Sequence, residues 1–239
     1  GATQYSGAEA AAGLNELAKA GVSTQAIMGG GLQGALSLAA SGQMEVAAAA
    51  ETAASAMNQF GLSGTQVPHV ADLLAAAANT AQGSVKDMGD ALNQTGLIAN
   101  QTGLSIEETV GGLTAFAKAG LTGSDAGTSF KTMLQRMVPT SVEAGKAMQA
   151  LGISAYDSQG NFIGLAEFAG NLQNAMKGLS EEQKATALTT IFGADAIRGA
   201  NVLMEQGADG IRKYTEQVNQ AGFANKQAAD LTDNLAGDI

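Results

Sequence analysis

Cysteine and tryptophan are absent from this 239-residue chain, and proline occurs twice and histidine once. Without cysteine, no disulfide, thiolate nucleophile or Cys-based zinc site can form. The scarcity of proline leaves long stretches free to be helical. Aromatic residues make up only 4% of the chain, so few large side chains are available to fill a core. Basic residues are also few: 12 Lys and Arg stand against 22 Asp and Glu, for a net charge of -10. The basic residues are scattered singly. An acidic surface without a basic patch disfavours phosphate backbones, and direct nucleic-acid binding is not expected. No run of 18 uninterrupted apolar residues occurs, so no membrane-spanning helix is expected within this sequence.

What the chain does have is alanine and glycine. Hydrophobic residues make up 45%, enough to build a core. Alanine is the best helix former, and cores built on it depend on close helix approach. The 32 glycines pull the other way, because each costs about 0.5–1 kcal/mol in a helix interior. They are expected at helix ends and tight crossings, which argues against one continuous rod.

Five tripeptides share one form: Gly21-Val22-Ser23, Gly61-Leu62-Ser63, Gly103-Leu104-Ser105, Gly120-Leu121-Thr122 and Gly152-Ile153-Ser154. Glycine takes the left-handed position after a helix, the aliphatic residue folds back on the last turn, and the hydroxyl caps the next helix. Capping boxes are expected at Ser6/Glu9, Ser105/Glu108, Thr140/Glu143 and Ser180/Gln183. Pro139 separates two helices. The pattern predicts helices over 6–20, 24–40, 43–60, 66–80, 84–101, 105–119, 124–138, 140–151, 164–177, 180–192, 194–206, 208–221 and from 225 onward. Turn residues between two short β-compatible runs predict a small β-hairpin near 153–163. The fold class read from the sequence is all-α: a bundle of short helices with Gly-terminated turns, plus that hairpin. Composition shifts near residue 60, separating an Ala/Gly-rich helical arm over 1–60 from a compact module over 61–239. Both ends read as cut from something longer.

Each chemical motif has a plain structural alternative. Gly29-Gly30-Gly31-Leu32-Gln33-Gly34 matches G-x-G-x-x-G by letter, but no strand is expected before it, so a break or tight crossing is the better account. His69 with Asp72 three residues on is too few ligands for a closed metal site. Glu107-Glu108 and Glu181-Glu182 are paired carboxylates of the kind glycoside hydrolysis uses. Both pairs, however, lie in expected first helical turns, where they complement the helix dipole. Asp157 to Asn161 lacks the acidic ligands of a calcium loop. Met133, Met137, Met148, Met176 and Met204 sit at helical positions and read as core filling. No catalytic, cofactor-binding or metal residue is assigned, and no cofactor is expected.

Two stretches carry a resemblance. The first runs from Leu113 to Met137 and contains Ala119-Gly120-Leu121-Thr122-Gly123-Ser124 followed by Ala126-Gly127-Thr128. The second runs from Ile191 to Met204 and opens with Ile191-Phe192-Gly193. With the order of Ala71-Asp72-Leu73-Leu74-Ala75, the Val85–Leu92 helix opening and Gly103-Leu104-Ser105 between them, the chain from about Val67 to Gln220 resembles the core region of phage tail tape-measure proteins, also called phage-related minor tail proteins. The resemblance implies a structural tail component, not an enzyme. Such proteins fill the tail tube during assembly, set tail length and leave the tube at DNA ejection. It implies as partners the tail tube protein, tail assembly chaperones and tail-tip or baseplate proteins. It also implies a homo-oligomer in the virion tail, assembled in the host cytoplasm, with envelope contact on ejection. No residue-level site comes with it. Two other readings stand beside it: an envelope-active helical module, motivated by the small residues of 26–57, and a muralytic domain using Glu107 or Glu181. Because a ruler must be extended helix, the frequent breaks point to a compact module with the ruler outside it, the competing reading being that these helices open into longer ones inside the tube.

Overall fold

A computed structural model describes residues 5–237. Among the described residues twelve helices follow one another: α1 (Gly7–Lys19), α2 (Thr24–Ala26), α3 (Leu32–Gly42), α4 (Val46–Gln59), α5 (Val67–Ala81), α6 (Val85–Thr102), α7 (Ile106–Lys118), α8 (Gly123–Arg136), α9 (Val142–Leu151), α10 (Leu165–Ala175), α11 (Glu181–Val218) and α12 (Phe223–Gly237). A π-helical turn over Ile27–Gly31 joins α2 to α3, and a 3-10 turn over Gly64–Gln66 precedes α5. The all-α reading therefore describes the chain.

The five Gly-aliphatic-hydroxyl joints share one geometry. Each glycine has positive φ, from 63° at Gly61 to 102° at Gly103. In each, the aliphatic residue's N–H donates to the carbonyl five residues back: Val22 to Leu17, Leu62 to Met57, Leu104 to Ala99, Leu121 to Phe116 and Ile153 to Met148, all at 2.9–3.0 Å. That is the bond that closes a Schellman turn. The hydroxyls are less uniform. Ser23 and Ser105 accept from the N–H three residues on, whereas Thr122 and Ser63 make no such bond. The boxes at Ser6/Glu9, Ser105/Glu108 and Ser180/Gln183 are present. The one expected at Thr140 is displaced by a residue: Ser141 caps α9 through Ala144 N–H at 3.0 Å, and Thr140 accepts instead from Arg136 at 2.7 Å. Within α11 the backbone leaves the helix only at Gly193 (φ 71°, ψ 179°) and Gly207 (φ 62°, ψ -170°), where the sequence pattern places its breaks.

The expected hairpin at 153–163 is not there. Among the described residues no strand forms, and the segment holds a single antiparallel bridge between Tyr156 and Phe162. Two main-chain bonds flank the bridge, Asp157 N–H to Asn161 O at 2.9 Å and Ile163 N–H to Ala155 O at 3.0 Å, and side chains hold the neighbouring N–H groups. Asp157 Oδ1 accepts from the N–H groups of Gln159 and Asn161 at 2.8 and 2.9 Å. Ser154 Oγ accepts from Tyr156 N–H at 3.2 Å, and Ser154 N–H donates to Asn171 Oδ1 of α10 at 3.0 Å. Local hydrogen bonding of this kind competes with sheet pairing.

The chain folds as two compact units. Unit 1 takes the residues up to Gly89 together with those from Gln217 on, and unit 2 takes Asp90–Glu216. In unit 1, α1 packs on α4, and α3 packs against α4, α5 and α12. Its interior is alanine-rich, including Ala49, Ala50, Ala53, Ala75, Ala76 and Ala77, with Leu17, Leu38, Leu73 and Leu74. Unit 2 centres on Phe116, Phe130, Phe168 and Phe192, all fully buried. The rings of Phe116 and Phe130 lie 5.2 Å apart, and those of Phe168 and Phe192 6.4 Å apart. Helix crossing is tightest at Gly127 of α8, where a Cβ would fall 2.2 Å from the carbonyl oxygen of Ala91 in α6.

Candidate functional site

Glu108 begins as the third residue of α7. Its Oε2 accepts from Ser105 N–H at 3.1 Å, completing the capping box on its own helix. Its Oε1 accepts from Leu165 N–H at 3.3 Å. That second donor opens α10, whose N-cap is Gly164 with φ 93° and no side-chain cap of its own. One carboxylate thus serves two helix N-termini, 57 residues apart in sequence. Charge-assisted bonds to the unpaired N–H groups of a helix start are favoured by the helix dipole as well.

Beside it lies a cavity of about 330 Å³ lined by Glu108, Gly164, Glu167, Ile211, Arg212 and Glu216, among others. Glu167 is ion-paired with Arg212, which also reaches Asp209 at 3.2 Å. A pair of hydrolytic carboxylates needs one acid held protonated and one base facing it across the scissile bond. Here Glu108 and Glu167 are spent on helix N–H groups and a guanidinium. Glu181, in the other paired motif, is bonded to Lys184 at 2.7 Å.

The remaining sequence-marked residues are placed as follows. Gly29 to Gly31 belong to the π-helical turn, where Gly30 has φ 136°. Gly34 is a helix crossing, since a Cβ there would lie 2.9 Å from Pro68 Cα. His69 and Asp72 are both half-buried on α5. Among the described residues, no three His, Asp or Glu side chains gather as metal ligands. Met133, Met137, Met148 and Met176 are buried, and Met204 is half-buried. Asn161 N–H and its side-chain amide hold the exposed Asp157 carboxyl below the usual carboxylate range. Among the described residues no helix is long and apolar enough to cross a membrane.

Three further side chains have structural roles that depend on distant backbone. Asp72 accepts from Gly222 N–H at 2.6 Å and Ala224 N–H at 2.9 Å, capping α12 from α5. Gln173 Nε2 donates to the carbonyls of Met204 and Glu205 at 3.2 and 3.3 Å, just before the break at Gly207. Asn171 Nδ2 donates to Gly152 O at 3.2 Å, beyond the end of α9. Each acts on backbone at least 19 residues away, so no local pattern marks it.

Within each unit these side chains cap helix ends, Asp72 in unit 1 and Glu108 in unit 2. The phage-related minor tail protein family matches residues 1–193. The tape measure protein of Pneumococcus phage Dp-1 is 38% identical over 238 residues, 99% of this chain and 21% of that protein. The probable tape measure protein of Escherichia phage P2 is 32% identical over 186 residues, 75% of this chain and 23% of that protein. The chain thus spans about a fifth of the length of these relatives. No solved structure matches it. With most of its length matched, the chain belongs to the phage-related minor tail protein family.

Proposed function

We propose that this chain is a folded structural module of a phage tail tape-measure protein. The observation that carries the reading is the 38% identity, sustained over 99% of the chain, to a protein named a tape measure protein. The role of the whole protein follows as part of the proposal: it sits in the virion tail, sets tail length, helps assembly and is released as DNA is ejected. Its proposed partners are the tail tube protein, the assembly chaperones and the tail-tip or baseplate proteins, with several copies per tail and envelope contact on ejection. The contribution is structural rather than enzymatic. No observation favours a muralytic or membrane-inserting role over it.

Helix geometry refines the proposal. A ruler advances about 1.5 Å per residue only while it is continuous helix. In this module the longest helix without a backbone break is α6, with 18 residues. This supports a ruler that lies outside the segment. Tail length measured by electron microscopy tests this. In-frame shortening of helical sequence outside the segment should shorten the tail in proportion to the residues removed. Removing α12 should not shorten it by that increment. Cryo-EM density for a continuous rod across these residues would overturn the compact reading. Tails of unchanged length after deletions elsewhere in the protein would overturn the tape-measure role.

A further inference from the structure

α12 is attached to unit 1 differently from the other helices there. It lies across α3 and α5, yet among its described side chains only Ala224 is fully buried. Its side-chain contacts with those helices are long: Ser37 Oγ to Asn225 Oδ1 and Gln227 Nε2 to Asn79 Oδ1, both 3.5 Å. Gln227 Oε1 is buried without a hydrogen-bond partner. Cavities adjoin the helix at two places. One of about 240 Å³ is lined by Leu36, Ser37, Asn225 and Ala229, among others. The other, of about 380 Å³, is lined by Asn79, Gln82 and Gln227, among others.

Against this loose packing stands one strong attachment. The Asp72 carboxylate accepts from Gly222 N–H and Ala224 N–H at 2.6 and 2.9 Å, at the N-terminus of the helix. The chain enters α12 through 219–222, where Gly222 has φ 76°. Bonds from backbone N–H to a carboxylate are the stronger kind, and the helix dipole adds to them. A helix with little buried apolar area, imperfect polar contacts and one charged clamp has the features of a segment that opens locally before its unit unfolds.

We propose that α12 is a hinged strap latched by Asp72, which lifts from α3 and α5 as one piece while the rest of unit 1 stays folded. Lifting uncovers Ser37 and Leu36, which are 4% and 7% exposed when the strap is down. The absence of cysteine gives a clean probe. Ser37→Cys reports on the strap, and Val46→Cys, at a buried α4 position packed on Gly13 of α1, reports on the rest of the unit.

The experiment measures thiol labelling in the full chain under native conditions, with and without Asp72→Ala. Asp72→Ala should speed labelling at Ser37→Cys roughly tenfold or more, the scale of losing hydrogen bonds to a charged group. Labelling at Val46→Cys should stay unchanged. Asp72→Asn, which keeps one acceptor oxygen, should fall between. Unchanged labelling at Ser37→Cys would overturn the proposal, and so would an equal rise at both probes, because that reports unfolding of the whole unit. Hydrogen exchange without engineered cysteines is the second readout. In Asp72→Ala, faster exchange should extend from Gly222 through Leu231 while α4 keeps its protection. Acceleration confined to Gly222 and Ala224 would mean only a frayed cap and would also overturn it.

Discussion

The interior of unit 1 is lined largely by alanine, while that of unit 2 holds Phe116, Phe130, Phe168 and Phe192 together with Met133 and Met137. The sequence places Tyr5, Phe60 and Phe223 in the first and the other seven aromatic residues in the second. The two units therefore solve the burial problem by different means. Unit 1 brings the backbones of α1 and α4, and of α3 and α5, close together, so each buried methyl contributes little. Unit 2 interlocks large rings, where each side chain removes much apolar surface from water. A second contrast concerns helix ends. Among the described residues the only non-glycine positions with positive φ are Gln43 and Gln82, both in unit 1. Unit 2 uses glycine wherever φ is positive.

Truncation should separate the units most strongly. Phe116→Ala removes a fully buried ring that packs at a tilt against Phe130, and it should cost about 3–5 kcal/mol in denaturant unfolding. Insertion should hit unit 1 instead. Ala53→Leu adds a branched side chain where exposure is 0%, for an expected loss of about 1–3 kcal/mol by overpacking. If Ala53→Leu is neutral, the alanine interior has room and the contrast fails.

Smaller effects sharpen the second contrast. Gln82→Gly relieves a left-handed non-glycine residue (φ 56°) at the end of α5. It should raise the thermal midpoint, with a gain of up to about 1 kcal/mol. The same change next to a helix end in unit 2 has no counterpart. The mildest effect is on pH. The exposed carboxyls of Glu9 in unit 1 and Asp157 in unit 2 are both held below their ordinary values of 4.5 and 3.8, the first by Ser6 and the second by Asn161. Lowered folded values mean the contacts persist at and above those ordinary values and are lost as the pH falls below them. Amide resonances of Glu9, Gln159 and Asn161 should therefore stay fixed down to about pH 4.5 or 3.8 and shift only under stronger acid. Movement near neutral pH would contradict the assignment.

The helix ends were the most legible part of the molecule. Gly21, Gly61, Gly103, Gly120 and Gly152 each close a helix by the same bond, and Gly193 and Gly207 break α11 as the pattern expects. These features depend on residues within one turn of each other. The failures share the opposite property. At 153–163 the turn residues match a hairpin pattern, but Asp157 Oδ1 accepts the Asn161 N–H and the pairing stops at a single bridge. Thr140 lost its cap to the neighbouring Ser141 because Arg136 holds its hydroxyl. Glu108 was legible as a cap for α7, but its second task at Leu165 was not.

The sequence by itself determined that the chain is helical, where most helices stop, and that glycine closes the five Gly-aliphatic-hydroxyl joints. Backbone conformational preference acts over a few residues and needs no partner, so it can be read locally. Only the tertiary structure decided that the described residues from Gln217 on join those up to Gly89 in one unit, that Asp72 caps α12 across 150 residues, and that the 153–163 segment stays out of a strand. Those outcomes depend on which distant groups meet once the helices pack. Glutamate, aspartate and glutamine have many available partners, and only packing selects one.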